Sequence, residues 1–351
     1  MAGRGSSHNV DHRFSGPQVD AVDDGWSQPE WEAAFAASDP RTEVTEISAR
    51  SIISYNSSPD VPFGRSINPY QGCEHGCIYC YARPSHTYLE LSPGLDFETR
   101  LFAKLNAAEL LRREFARPAY QPQTIVLGAN TDPYQPIEHH YRLTRQLLEV
   151  ILAHHHPVGI ITKSAMILRD LDLLTELAQE GLCQVMVSVT TLNETLRRQL
   201  EPRASTGAGR LKVVEKLARA GVPVGVLAAP MIPRLNEPEL EQIIKSAAEV
   251  GAHCADYILL RLPHELAPLF SEWLEQYYPG QKEAILNQLR ASRDGTLNSP
   301  AFGTRMRGEG QFADLLAQRF RLIARRLGLG KRHFQLRQDA FIRPGEQLRL
   351  F

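Results

Sequence analysis

Short apolar runs alternate with longer amphipathic stretches along the middle of this chain. Five runs are continuously apolar rather than alternating, which is typical of strands covered on both faces. They lie at residues 124–128, 158–162, 184–189, 222–227 and 256–260. Helical patterns separate them, at residues 144–154, 168–180, 209–220 and 238–250. A further strand is expected at 65–70, so the alternation predicts six βα units around a parallel sheet.

Glycines support this division into elements. Gly181, Gly221 and Gly251 each follow a helical stretch, where a residue that tolerates a left-handed backbone usually ends the helix. Six βα units are too few to close an eight-stranded barrel. The sequence therefore predicts an α/β fold that forms a partial (βα)6 barrel of the TIM type. In such barrels the chemistry lies at the carboxyl ends of the strands.

The two ends of the chain differ from its middle. Residues 1–45 are rich in Gly, Ser, Asp and Pro, and predict a flexible, disordered N-terminal arm. Residues 46–265 form the predicted barrel core, and residues 266–351 a helical C-terminal extension with a basic tail. Residues 1–60 hold 4 Arg against 10 Asp and Glu, whereas residues 291–351 hold 12 Lys and Arg against 5. Such asymmetry indicates either a bound polyanion near the C-terminus or the solvated face of a helix.

Composition narrows the class of protein. Apolar residues make up 43% of the chain, enough for a sizeable core, but no run of 18 apolar residues could span a membrane. The first residues lack the apolar segment of a signal peptide. Of five cysteines, three fall within eight residues, which argues against a disulfide framework. We therefore expect a cytoplasmic protein that uses cysteine to bind metal.

The cysteine motif is the strongest chemical signal. Cys73, Cys77 and Cys80 have the spacing C-x3-C-x2-C. Three thiolates can bind three irons of a cubane [4Fe–4S] cluster and leave the fourth iron open to a small molecule. The alternative is zinc, with His75 or His86 as the fourth ligand. The motif follows the first expected strand and precedes the βα series, and this position favours the cluster.

In this context the motif resembles that of the radical S-adenosylmethionine (SAM) superfamily, over roughly residues 65–265. The resemblance implies a partial barrel of the radical SAM type and a [4Fe–4S] cluster that cleaves SAM reductively to a 5′-deoxyadenosyl radical. It also implies an external one-electron donor of the flavodoxin or ferredoxin type. Nucleic acids, proteins and small molecules are all substrates on such scaffolds, so the fold does not name the substrate.

Within the superfamily the chain is most similar to the spore photoproduct lyase-like branch. Tyr79 and Tyr81 flank the third cysteine, as tyrosines of a radical relay do in that branch, so both are candidate catalytic residues. The lyase has a cysteine hydrogen donor where this chain has Ala129. We expect Cys183 to be a buried structural residue at the other end of the barrel. The departure therefore predicts another substrate, or another hydrogen donor such as Tyr81.

The same resemblance assigns residues to SAM. Lys163, at the end of the third strand, corresponds to a lysine that contacts the SAM carboxylate, and Ser188 to a serine that contacts SAM from the fourth strand. Asn130 and Asp132 follow the second strand, where the family binds the SAM amino group, and they offer suitable acceptors. An N-cap or turn around the Asp-Pro pair is the structural alternative for this segment.

Two other polar segments are candidate sites, and the sequence favours a structural role for the first, a set of histidines. The histidines at 139–140 and 154–156 point in different directions on a helix and do not converge on one ion. A basic amphipathic helix that includes Arg319 and Arg325 predicts contacts with either phosphate or the barrel.

The last residues, Gln347–Phe351, resemble the short peptide by which bacterial repair and replication proteins bind the sliding clamp. A tail that packs against the barrel is the alternative for this segment. The second function class is accordingly a non-catalytic iron–sulfur adaptor that binds DNA or the clamp.

Overall fold

The computed structural model describes residues 3–14, 41–330 and 336–345. It contains ten strands, given in chain order: β1 Glu43–Ile47, β2 Ile53–Tyr55, β3 Arg65–Ile67, β4 Tyr70–Gln71, β5 Arg100–Lys104, β6 Ile125–Leu127, β7 Val158–Thr162, β8 Cys183–Ser188, β9 Val224–Met231 and β10 Cys254–Leu259. The strand expected at 65–70 and the five continuous apolar runs are all present. The strands β1, β2, β4 and β5 were not predicted from the sequence.

Eleven α-helices occur in the described residues: α1 Asp96–Thr99, α2 Ala107–Phe115, α3 Glu138–Tyr141, α4 Leu143–Ala153, α5 Leu171–Gln179, α6 Glu194–Leu200, α7 Gly207–Arg219, α8 Leu240–Glu249, α9 Leu266–Tyr277, α10 Lys282–Ala291 and α11 Gly310–Arg326. Short 3₁₀ helices cover Arg83–Leu89, Ala165–Asp170 and Glu237–Glu239. None of these described helices combines the length and apolar character that a membrane span requires.

The large sheet has seven strands in the order β10-β9-β8-β7-β6-β3-β2. Neighbouring strands from β3 to β10 are parallel, and β2 pairs antiparallel with β3 at the edge. Six parallel strands with helical connections confirm the α/β fold and the partial barrel. A second, three-stranded sheet, β1-β5-β4, lies beside the loop that carries the cysteines.

Apolar side chains cover both faces of the parallel strands, as their continuous pattern predicts. On β6, Ile125 and Leu127 belong to the main core beneath the helices, whereas Val126 joins a smaller cluster inside the barrel. Met186, Leu227 and Cys254 are the other buried members of this inner cluster, and they are almost fully buried. The inner cluster therefore fills the barrel below the carboxyl ends of the strands.

The C-terminal extension is helical, as expected, and it also covers an edge of the sheet. The backbone N–H of Leu259, at the end of β10, donates to the carbonyl of Met306 at 2.9 Å. On the opposite side, Asp60 accepts a hydrogen bond of 2.6 Å from the N–H of Gly303 and forms an ion pair with Arg305. Residues 297–307 therefore link the two edges of the open barrel.

The predicted flexible arm, residues 1–45, is only partly described. Residues 3–14, here called the N-terminal strap, contact the core: Ser6 is 2% exposed, and Arg13 contacts Glu265 at 3.1 Å. Residues 41–45 include most of β1. Residues 15–40 lie outside the described residues, as do 331–335 and the predicted clamp-binding peptide Gln347–Phe351.

Candidate active site

A cavity of about 600 Å³ lies at the carboxyl ends of the parallel strands. The structure brings together in its lining all nine site residues predicted from the sequence: Cys73, Cys77, Tyr79, Cys80, Tyr81, Asn130, Asp132, Lys163 and Ser188. These residues come from the ends of three strands, β6, β7 and β8, and from the cysteine loop. Their convergence is a property of the barrel, because parallel strands present their carboxyl ends at one face.

The cysteine loop is held by backbone contacts. The N–H of Cys73 donates to the carbonyl of Phe97 at 2.9 Å, and the N–H of Cys80 to the carbonyl of Cys77 at 3.2 Å. Gly76 has a φ of +66°, and a Cβ there would lie 2.5 Å from a carboxylate oxygen of Glu98. Only glycine fits this combination of left-handed backbone and close approach. The spacing C-x3-C thus depends on Gly76.

The thiols lie in a desolvated environment. Burial raises the pKa of Cys77 to about 12 and, with the nearby Asp132 and the other thiols, raises the pKa of Cys73 well above its ordinary value. Metal-bound thiols are deprotonated, so binding of a metal releases these protons.

Neither of the two histidines proposed as a fourth zinc ligand lines this cavity. A ring nitrogen of His86 lies 2.9 Å from the carbonyl of Arg100, and Nδ1 of His75 lies 3.4 Å from Asp132. Among the described residues, no three His, Cys, Asp or Glu side chains converge on the position of one metal ion. The donor set is therefore three separated thiols in a cavity, which suits a multi-iron cluster better than tetrahedral zinc.

Asp132 holds the loop after β6 against the end of β7. Its Oδ1 accepts hydrogen bonds from Thr162 Oγ1 at 2.7 Å and from the N–H of Tyr134 at 2.9 Å. Its Oδ2 accepts from the N–H of Lys163 at 2.9 Å. The sequence prediction made Asp132 an acceptor for SAM; the structure shows that both carboxylate oxygens already accept bonds from the protein.

Asn68 is a site residue that sequence reasoning missed. Its Oδ1 accepts hydrogen bonds from the N–H groups of Asn130 and Thr131, at 3.0 and 3.3 Å, and its side chain lines the cavity. Gly128, with a φ of +87°, lets this loop pass so close to β7 that a Cβ would lie 2.1 Å from the carbonyl of Ile161. The Asn-Pro pair that follows β3 was the available signal.

Lys163 places a cation in the cavity. Burial lowers the pKa of its ammonium group, but the ionisable groups of Cys77, Glu201 and Asp132 raise it more, so the pKa lies above its ordinary value. No ion pair or hydrogen bond links this ammonium group to another described residue. Lys163 is therefore a charged donor in the cavity lining without an ion-pair partner among the described residues.

The two predicted catalytic tyrosines have different surroundings. The hydroxyl of Tyr79 lies 3.1 Å from Thr190 Oγ1 and donates to Glu201, which forms a buried ion pair with Arg210. Burial raises the pKa of Glu201, but the positive charges of Arg210 and Lys163 lower it by a larger amount. The resulting pKa is about 2. Sequence reasoning did not identify Glu201 or Arg210 as part of this network, which holds the Tyr79 hydroxyl.

Tyr81 is open to the cavity. It is 46% exposed, its hydroxyl donates to the carbonyl of Ala129, and the guanidinium group of Arg261 lies 5.3 Å from the centre of its ring. The hydroxyl of Tyr81 thus contacts the backbone of Ala129, the position at which the resemblance would place a cysteine. Of the two tyrosines, Tyr81 is the better placed to reach a substrate.

The remaining cysteines lie at the other end of the barrel, as expected. Cys183 and Cys254 begin β8 and β10, and both are buried. Cys254 Sγ lies 3.7 Å from Met186 Sδ. The buried ring of His156 stacks on the ring of Phe115, with 4.5 Å between the two ring centres. This histidine therefore packs in the core, as the structural interpretation of the histidines predicts.

The chain was compared with known proteins and structures. The family model described as the radical SAM superfamily matches residues 67–247. An uncharacterized protein of Mycobacterium tuberculosis strain H37Rv is 34% identical over 249 residues, which cover 70% of this chain and 72% of that protein. An uncharacterized protein of Methanocaldococcus jannaschii is 26% identical over 254 residues, which cover 72% of this chain and 90% of that protein.

Solved structures of spore photoproduct lyase have the same fold. The lyase complexed with dinucleoside spore photoproduct superposes with a TM-score of 0.60 and 18% identity, covering 83% of this chain and 81% of the lyase. A lyase variant with bound AdoMet and the same dinucleoside superposes with a TM-score of 0.60 and 19% identity, covering 84% and 82%. At this level of identity the similarity shows the fold.

Proposed function

This chain belongs to the radical SAM superfamily, and we propose that its cavity binds the cluster through Cys73, Cys77 and Cys80 and SAM beside it. The superfamily uses a [4Fe–4S] cluster and SAM, so the chain is a radical SAM enzyme that needs an external electron donor. When bound, the cluster supplies the electron that cleaves SAM to methionine and a 5′-deoxyadenosyl radical. One observation carries the proposal: the three thiols and the predicted SAM residues line one cavity.

In this proposal, different residues of the chain bind different parts of SAM. The Lys163 ammonium group pairs with the SAM carboxylate, because a point charge in a partly desolvated cavity favours an anion. Asn130 and Ser188 offer oxygen acceptors and hydroxyl or amide donors around the rest of the ligand. Asp132 positions Lys163 and the loop of Asn130 through the bonds described above.

Tyr81 is the proposed hydrogen donor or radical relay on the substrate side. Its exposed ring faces the cavity, and its hydroxyl bonds to Ala129, where a thiol is lacking. Tyr79, whose hydroxyl donates to Glu201, is the proposed second tyrosine of such a relay. The absence of a cysteine at position 129 supports a reaction that differs from repair of spore photoproduct.

The test begins with the metal. Protein purified without air should be brown and contain about four irons and four sulfides per chain. Cys77→Ala should lose the cluster, whereas Cys183→Ala, at the other end of the barrel, should keep it. A colourless protein with one tightly bound zinc would refute the proposal.

The second half of the test is cleavage of SAM. The reconstituted protein, reduced with dithionite, should convert SAM to 5′-deoxyadenosine even without substrate. A protein that keeps its cluster but forms no 5′-deoxyadenosine, and whose cluster spectrum does not respond to SAM, would favour the non-catalytic adaptor.

We propose nucleic acid as the substrate, and the first support is the similarity of this fold to that of spore photoproduct lyase. A solved structure with the same fold is spore photoproduct lyase complexed with dinucleoside spore photoproduct. The C-terminal segment after residue 290 is rich in arginine, which supports a polyanionic partner. Nucleosides from cells with and without the protein should differ in one modified species. The clamp peptide Gln347–Phe351 stays a prediction, which loss of clamp binding on removal of Leu350 and Phe351 would support.

The proposed electron donor is a flavodoxin or a ferredoxin. Either partner would act in the cytoplasm, where reducing conditions also preserve free thiols. Replacement of dithionite by a reduced flavodoxin system should support formation of 5′-deoxyadenosine.

A further inference from the structure

Three arginines line the outer part of the cavity, on the side of β10 and residues 297–307. Two of them are neutralised by carboxylates in the same lining. Arg305 forms an ion pair with Asp60, and Arg307 forms one with Asp256. Their charges therefore hold the wall of the cavity together and are not available to a ligand without breaking these pairs.

Arg261 is the third arginine and has no such partner. It follows β10, lines the cavity and forms no ion pair or hydrogen bond with another described residue. Its contact is with the ring of Tyr81, at 5.3 Å from the ring centre. Burial lowers the pKa of Arg261, and Arg305 lowers it as well, whereas Tyr81 and Asp60 raise it.

A fourth guanidinium group adds to the positive charge on this side. Arg293 is 2% exposed and donates to the carbonyls of Leu259, Leu260 and Arg305, at 2.9, 2.8 and 2.8 Å. It contacts no carboxylate in the described part of the chain. Four arginines therefore face two carboxylates around the outer cavity, an excess of positive charge that a ligand can neutralise.

We propose that Arg261 binds an anionic oxygen group, phosphate or carboxylate, of the substrate. The proposal rests on the function proposed above and adds the charge of the substrate to it. A guanidinium group presents paired N–H donors that match both kinds of oxyanion. The cation–π contact with Tyr81 restricts the guanidinium group, so less freedom is lost when it binds.

The position of Arg261 also places the substrate. Arg261 contacts Tyr81, and Tyr81 contacts Ala129. An oxyanion on Arg261 therefore brings the neighbouring part of the substrate to the tyrosine that we propose as hydrogen donor. Lys163 follows the end of β7 and binds SAM in the proposed function, so Lys163 and Arg261, the two lining cations without a carboxylate partner among the described residues, bind two different anions.

Direct binding tests this assignment without turnover. The protein carries its reconstituted cluster and saturating SAM, and no reductant is present. Phenyl phosphate, benzoate and neutral benzamide are titrated by calorimetry into the wild type, Arg261→Gln and Arg261→Lys. Arg219→Gln is the control, since Arg219 is exposed and ends α7, at the opposite end of the barrel.

Arg261→Gln should weaken binding of at least one anionic probe roughly tenfold or more, the usual effect of losing a charged hydrogen bond. Binding of benzamide should stay unchanged, and Arg261→Lys should retain part of the affinity. The anion with the larger loss distinguishes phosphate from carboxylate. Retained SAM affinity shows that the variant is folded.

Three results would overturn the assignment: no binding of either anion to the wild type, equal binding to Arg261→Gln, or loss of SAM affinity in that variant. The last would make Arg261 part of the SAM site. These outcomes are separate from cleavage of SAM to 5′-deoxyadenosine, whose failure would refute the proposed function instead.

Discussion

Asp132 fixes the backbone from which the Lys163 side chain reaches the cavity. Its two oxygens accept bonds from three separate groups, on both sides of the gap between β6 and β7. A carboxylate used in this way sets the direction of a neighbouring cation. The proposed charged contact to SAM, Lys163, and the group that fixes its backbone, Asp132, are therefore different residues.

Lys163→Ala should weaken SAM binding while iron content stays unchanged. Loss of a cation that pairs with a partly desolvated carboxylate costs on the order of 2–5 kcal/mol. The measurement is equilibrium binding of SAM to the reconstituted protein. Lys245→Ala is the control, because Lys245 is an exposed lysine on α8 that pairs with Glu249. Unchanged affinity in Lys163→Ala would refute the assignment of this lysine.

The sequence predicted which residue types line the cavity but not how their functional groups are bound. The nine predicted residues converge because each follows a strand end or belongs to the cysteine loop, and that placement can be read from the alternating pattern. The different surroundings of Tyr79 and Tyr81 could not be predicted from the sequence. They depend on Glu201 and Ala129, which approach only after the barrel has formed.

The parallel strands could be predicted from the sequence because both of their faces are buried. The three-stranded sheet and the N-terminal strap could not be predicted in this way. The strands β1 and β5 are only partly buried, so they lack a clear apolar pattern. The strap begins with the polar residues Gly-Arg-Gly-Ser, and two of its contacts with the core are made by the backbone N–H groups of Gly5 and Ser6, which leave no signature in the sequence.

The strap contacts the cysteine loop through Glu98. The N–H groups of Gly5 and Ser6 donate to its two oxygens at 2.9 and 2.8 Å. Glu98 also forms a buried ion pair with Arg83, and Arg83 donates to the carbonyl of Cys77 at 2.8 Å. The strap therefore covers the loop that carries the cluster ligands.

Gly5→Ala should displace the strap, since a Cβ at Gly5 would lie 1.6 Å from the carbonyl oxygen of Gly76. The cluster should then be less shielded from solvent and decay severalfold faster in air. Loss of visible absorbance after exposure to air measures the rate. Ser7→Ala is the matched control, because Ser7 is exposed and bonds only to its neighbour His8. Equal decay rates in both variants would show that the strap does not protect the cluster.

Charge is distributed unevenly over the whole molecule, with an excess of basic residues near the C-terminus. Acidic residues of the core neutralise part of this positive charge. Arg319 on α11 bonds to Glu241 at 2.6 and 2.7 Å and forms an ion pair with Glu237. The sequence could not show this, because both carboxylates lie on another helical segment. Arg321, Arg325 and Arg326 on the same helix are exposed.

Binding of single-stranded DNA or RNA should therefore depend on the exposed arginines and not on Arg319. Affinity should fall with salt, with a log–log slope of about 0.7 per phosphate neutralised on a single strand. Arg325→Gln combined with Arg326→Gln should reduce this slope by more than one unit, whereas Arg319→Gln should leave it unchanged. Fluorescence anisotropy over a range of salt concentrations gives the slopes. If all proteins show the same slope, the C-terminal helix does not contact the phosphates; if none binds, the nucleic-acid proposal loses this support and a smaller anionic substrate at Arg261 is favoured.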